Sequence, residues 1–236
     1  MEVNAKCVVL VPTNGHIEPA CEDGLRSLEK IGYVVKRIRG YAAIDQARNE
    51  LASSAIDEGF EETMWIDSDI GFTAVDVEKL RSHNLPITCG VYAKKGVRAI
   101  AIHTLPGAES LQFGQSGGLT EIRYAAAGFM HVRRDTYLAI KEKLSLPTCN
   151  LRFGSGVTPY FQPMIINDPK RDRQSKQDDY WYLAEDYAFC ERARQAGLSI
   201  LADTSIRLYH FGSYGYSWED AGADQPRFEN YQFRLT

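Results

Sequence analysis

Met64-Trp65-Ile66-Asp67-Ser68-Asp69 reads as a short apolar strand that ends in two carboxylates. Its apolar residues have no polar partner at alternate positions. That is the pattern of a strand covered on both faces, as in an α/β sheet. Upstream, Cys7-Val11 is a second such run, closed by Pro12-Thr13-Asn14-Gly15. Glu18 to Ile31 follows as a helix, with Pro19 suited to its first turn and Gly32 to its end. Tyr33-Ile38 reads as a strand. Ile44, Ala47, Leu51 and Ala55 recur at helical spacing, and Gly59 closes that helix. Downstream, Thr73-Ala74-Val75-Asp76 has the form of a capping box opening a helix to Ser82, and Ile87-Val91 is another strand.

Strand and helix therefore alternate through the first 91 residues. The expected fold class is α/β: a single Rossmann-like domain over residues 1–236, with a mostly parallel central sheet flanked by helices. Residues 1–91 are its regular half, and residues 92–236 a less regular half expected to hold a smaller mixed sheet and a C-terminal loop. In the second half Arg98-Ile102 and Tyr124-Val132 resemble strands, with Gly114, Gly117 and Gly118 between them. Asp135-Lys143 and Ala184-Gly197 read as helices, and Leu198-Ala202 and Ile206-His210 as closing strands. Asn167 to Tyr180 is polar, carries mixed charge and has the length of a lid or an acceptor-binding loop.

The composition is that of an ordinary soluble globular chain: 236 residues, 44% hydrophobic, 25% charged, net charge −4. Broad nucleic-acid binding is not suggested. The five cysteines are odd in number and widely spaced, which argues for buried free thiols in a reducing compartment. The first apolar run is too short for a leader or a membrane span, so a cytoplasmic protein is expected.

Ligands of open α/β sheets bind beyond the carboxyl ends of the strands. Pro12-Gly15 and Asp67-Asp69 sit at such ends and are expected to line one cleft. About one D-x-D pair is expected by chance in a chain of this composition, so the motif alone says little. Its position after Met-Trp-Ile says more, because hard carboxylate oxygens there suit Mg²⁺ or Mn²⁺. A plain strand-to-helix turn would use the same residues. His210 ends an apolar run and is followed by Phe211-Gly212. As a third ligand it would tilt the site toward Mn²⁺; as a structural residue it would simply be hydrogen-bonded. Glu185-Asp186 opens a helix, where acids oppose the macrodipole and where a general base is equally well placed. Asp45, Arg48 and Asn49 lie beside the apolar stripe of their helix, on either a cleft-facing or a solvated side.

In this order, the first strand from Val8 to Thr13, Asp45 to Asn49, Trp65-Ile66-Asp67-Ser68-Asp69, Glu185-Asp186 and His210 resemble the GT-A-fold glycosyltransferases with a D-x-D motif. The resemblance implies Asp69 and His210 as metal ligands, with Asp67 bound through water or contacting the ribose. It implies that Pro12, Thr13 and Asn14 hold the nucleoside, with Tyr41 against the base. Asp45, Arg48 and Ser68 fall on the donor side. Asp186 would be the base of an inverting displacement, with Glu185 orienting a substrate. The donor implied is a nucleoside-diphosphate sugar, UDP before GDP, and the acceptor a glycan or other hydroxyl. A nucleotidyltransferase acting on a sugar phosphate is the nearest alternative enzyme, but it favours a glycine-rich basic loop after the first strand. A non-catalytic nucleotide-sugar-binding module is the other.

Overall fold

The computed structural model describes residues 3–168, 179–222 and 230–235. In chain order the strands are β1 (Cys7–Pro12), β2 (Val34–Ile38), β3 (Glu62–Ile66), β4 (Ile70–Gly71), β5 (Ile87–Gly90), β6 (Ile102–Thr104), β7 (Ser110–Gly114) and β8 (Leu119–Ala125). They continue with β9 (Phe129–Arg133), β10 (Met164–Asn167), β11 (Tyr180–Leu183), β12 (Ile200–Asp203), β13 (Tyr209–Phe211), β14 (Gly215–Tyr216) and β15 (Asn230–Arg234). The helices are α1 (Pro19–Lys30), α2 (Ile44–Asp57), α3 (Ala74–Ser82), α4 (Arg134–Lys143) and α5 (Glu185–Gln195).

One sheet of eight strands, ordered β2-β1-β3-β9-β5-β12-β8-β6, takes strands from both halves of the chain. Six of the eight run the same way; β9 and β8 run against them. The sheet is thus mostly parallel in direction, as expected, but two reversed strands make it mixed. The apolar runs are continuous because both faces are covered. Val8, Leu10 and Trp65 face α2, α4 and α5, whereas Cys7, Val9, Val11, Met64 and Ile66 face α1 and α3. Burying a side chain of this size contributes about 1.5–3 kcal/mol, so both faces stabilise the layer.

Several second-half expectations need correction. Tyr124–Val132 is not one strand: the chain breaks at Ala126-Ala127-Gly128, and β8 and β9 occupy separate places in the sheet. Only the last residue of Arg98–Ile102 is strand; before it, Ala93 and Ile100 form an isolated bridge. Ile206–Leu208 is not strand either, and β13 begins at Tyr209. The small sheets are β10-β11, β14-β13-β4 and β15-β7. The polar segment after Asn167 is the connection of the β10–β11 hairpin, and residues 169–178 of it lie outside the described residues. All five cysteines are free; four are buried, but Cys149 is exposed. Among the described residues no helix is long and apolar enough to cross a membrane.

Candidate functional site

Beyond Ile66 the chain turns sharply, with the Ile70 N–H donating to the Asp67 carbonyl at 3.0 Å. It then reverses into β4. There His210 lies opposite Ile70 and Tyr209 opposite Gly71, and the Phe211 N–H donates to the Asp69 carbonyl at 2.8 Å. This short antiparallel ladder is what joins residues 69 and 210. Asp69 Oδ1 and His210 Nε2 end 3.6 Å apart.

The imidazole is oriented from behind. His210 Nδ1 is 2.9 Å from the Ala93 carbonyl. A carbonyl only accepts, so Nδ1 carries a hydrogen; Nε2 faces Asp69, donating to it when the ring is protonated and offering a lone pair to a cation when the ring is neutral. Asp69 also meets Lys95 Nζ at Oδ2, 2.5 Å away. Burial raises the Asp69 pKa, but His210 and Lys95 outweigh it and hold the carboxyl at about 2. Asp69 and His210 therefore have the donor chemistry to hold a divalent cation. Among the described residues no group of three His, Cys, Asp or Glu side chains is placed to do so.

Asp67 is turned elsewhere. Its Oδ1 accepts from Arg48 at 2.8 Å, and Arg48 Nε faces Glu185 Oε1 at 3.4 Å. Arg48 is 2% exposed and lies over the Trp65 ring at 5.4 Å. The solvated-face reading of Arg48 is overturned. Its guanidinium ties the tip of β3 to the start of α5, and one nitrogen is buried without a partner. Asn49 is structural: its Oδ1 accepts the Phe161 N–H at 2.6 Å. Asp186 follows Glu185 in the first turn of α5. Burial and the adjacent Glu185 raise its pKa to about 6, against the opposing pull of Arg48.

Pro12, Thr13, Asn14 and Tyr41 line one cavity of about 180 Å³, together with Ile38 and Ala47. Thr13 shapes its wall: its hydroxyl donates to the His16 carbonyl at 2.7 Å and accepts the Gly15 N–H at 3.1 Å. Tyr41 is held by its hydroxyl donating to Glu50 at 2.8 Å. Asp45 sits half-buried in the first turn of α2 and does not line this cavity among the described residues. The Ser68 carbonyl accepts the N–H of Glu18 at 2.8 Å, which fixes the turn to α1.

Three residues of the site were not legible as such. Tyr92 is buried, edge-on to His210 with centroids 5.1 Å apart, and its hydroxyl accepts the Gly128 N–H at 3.0 Å. Gly128 in turn accepts the Asp67 N–H at 2.9 Å, and a Cβ at Gly128 would collide with the Tyr92 hydroxyl. Tyr92 thus braces both carboxylate-bearing arms of the turn. Lys95 is the third. The signal for Tyr92 and Lys95 was positional: both follow the carboxyl end of β5, where ligand loops of such sheets lie.

No protein-family model matches the sequence, and no curated protein does. Among solved structures, A197 from STIV is 14% identical, with 87% of this chain and 85% of that one covered and a TM-score of 0.54. That likeness shows a common fold. A glycosyltransferase involved in the glycosylation of the major capsid of PBCV-1 is 14% identical over 59% of this chain and 65% of that chain, with a TM-score of 0.35. S. aureus TarS (residues 1–349) is 12% identical over 89% of this chain and 59% of that chain, with a TM-score of 0.40.

Proposed function

We propose that this chain is a GT-A-type glycosyltransferase that moves a sugar from a nucleoside-diphosphate sugar, UDP before GDP, to a hydroxyl acceptor. The observation that carries the reading is the convergence of Asp69 and His210 at the carboxyl edge of the sheet, 3.6 Å apart. A divalent ion, Mn²⁺ or Mg²⁺, is assigned to that pair, and when bound it would offset charge developing on the diphosphate leaving group. Pro12, Thr13, Asn14 and Tyr41 are assigned to the nucleoside, since one cavity takes all four. Asp67 and Ser68 are assigned to the ribose and donor, and Asp45 to the donor.

Asp186 is assigned as the base that takes the acceptor proton. Its pKa near 6 supports this, because a base acts best when its pKa lies close to the working pH. Glu185 is held by Arg48 and would orient a substrate beside it. With a base facing the acceptor, the displacement inverts the anomeric centre. A thermal-shift panel of UDP- and GDP-sugars, with and without Mn²⁺, tests the assignment. A bound donor stabilises the folded state by mass action, so a Mn²⁺-dependent rise with a UDP-sugar is the expected result. No rise with any nucleotide sugar, with or without metal, would remove the reading.

A further inference from the structure

Lys95 belongs to a loop that is built rather than loose. The loop leaves Tyr92 and returns at Ala101, whose N–H donates to the Tyr92 carbonyl at 2.9 Å. The Ala93–Ile100 bridge and the Lys94 N–H to Ala99 carbonyl bond at 2.8 Å narrow it to a tight finger. The Ala93 carbonyl at its base takes the His210 Nδ1 hydrogen. The same finger therefore fixes His210 and presents Lys95 to Asp69. The lysine stem crosses Gly212: a Cβ there would sit 2.9 Å from Lys95 Cδ. The ammonium is thus guided along the segment after β13 to Asp69 Oδ2.

Lys95 and a divalent ion assigned to Asp69 and His210 would draw on the same carboxylate. The side chain keeps 37% of its surface exposed, so the ammonium has open space to swing into. The nearest new anion in the proposed reaction is the diphosphate. We propose that Lys95 is a phosphate-binding residue that neutralises Asp69 in the empty site and passes to a diphosphate oxygen when metal and nucleotide arrive. This rests on the glycosyltransferase reading of the site and adds a residue to it. An ammonium acts on phosphate as a compact point charge, and the long stem allows the transfer.

The test measures binding, not turnover. Mn²⁺ alone, UDP with Mn²⁺, and uridine are titrated into the full chain and into Lys95→Met and Lys95→Arg. Removing the ammonium should act in opposite directions: Mn²⁺ alone binds Lys95→Met several-fold more tightly, and UDP with Mn²⁺ binds it about tenfold more weakly. Uridine, which has no phosphate, should bind all three alike, and Lys95→Arg should keep most of the UDP affinity. A variant that was merely misfolded would lose uridine as well, and would not gain metal. If the wild type binds UDP and Mn²⁺ but Lys95→Met binds both unchanged, the handover fails and the site assignment stands. If the wild type binds neither, both fall together.

Discussion

Near each end of strand β3 an acid meets a cationic side chain and a histidine, yet the two clusters are built differently. At its start, Glu62 takes Arg81 through two nitrogens, 2.7 and 3.1 Å away, and His131 Nε2 at 2.8 Å. Arg81 continues to Tyr33 and Asn4, and His131 is 1% exposed with Thr88 on its other nitrogen. At its tip, Asp69 faces His210 across 3.6 Å and a lysine that is more than a third exposed. The first cluster is closed by short bonds among its own members. The second is closed on one side only, by the partly exposed Lys95 at 2.5 Å, and leaves Asp69 and His210 beyond hydrogen-bond reach of each other at 3.6 Å. Acid, cation and imidazole thus give a strut in one place and, on the proposed reading, a ligand site in the other, and what separates them is how completely the groups satisfy one another.

That contrast predicts separable losses. The largest is Asp69→Ala. It should lower sugar transfer by about 10³-fold or more and abolish the Mn²⁺-dependent gain in nucleotide affinity. The fold should hold, since Asp69 lies in a turn whose backbone bonds do not need its side chain. Steady-state transfer and calorimetric nucleotide binding check this together. Unchanged turnover would make the tip a second strut.

Next comes Glu62→Gln, with the opposite signature. Breaking a buried pair typically costs about 3–5 kcal/mol, here with nucleotide binding kept. The pH dependence sharpens it. Burial pushes the Glu62 pKa up, but His131 and Arg81 outweigh it and hold the group at about 2, below its ordinary 4.5. A depressed carboxyl contributes stability that is complete above about pH 4.5 and is lost as pH falls toward 2. The contribution is of order 3 kcal/mol at most. Urea denaturation at neutral pH should separate wild type from Glu62→Gln by several kcal/mol, and the gap should narrow through that acid window. A gap that stays constant with pH would show that the carboxylate charge is not what holds the strut.

How far this contrast is readable from sequence depends on the range of each interaction. The apolar run ending at Asp67 and Asp69 is local, and so is the α3 cap, where the Thr73 N–H donates to Asp76 at 2.7 Å as its spacing anticipates. Pro12 to Asn14 fell at a strand end and do line a cavity with Tyr41. The pairing partners were not legible. Nothing in Phe129–Arg133 announces that it inserts backwards between β3 and β5, because register is decided by residues some 40 to 70 positions away. Gly128 breaks the run before it only because its N–H and carbonyl are claimed by Tyr92 and Asp67. Arg48 could be placed beside a helix stripe, but its meeting with Asp67 and Glu185 is made by three separate elements. Lys95 lay in a loop without periodicity, so only its place after a strand end marked it.

The stability effect of opposite sign belongs to Asp186. Glu62 is held charged by its partners; Asp186 is charged against its surroundings. Burial and Glu185 raise its pKa from 3.8 to about 6, despite Arg48. The folded protein thus holds this proton more tightly than the unfolded chain does. The favourable contribution is complete below about pH 4 and is lost as pH rises through 6, leaving the ionised group a burden at neutral pH. Asp186→Asn should therefore stabilise the fold by about 1–3 kcal/mol at pH 7.5, with the gain vanishing near pH 4. Transfer should fall by about 10²–10⁴-fold. A site that stores instability in a carboxylate poised to take a proton predicts both changes in one variant. Stabilisation with wild-type transfer would reduce Asp186 to a poorly solvated helix residue and leave Glu185 as the acid to test beside Arg48.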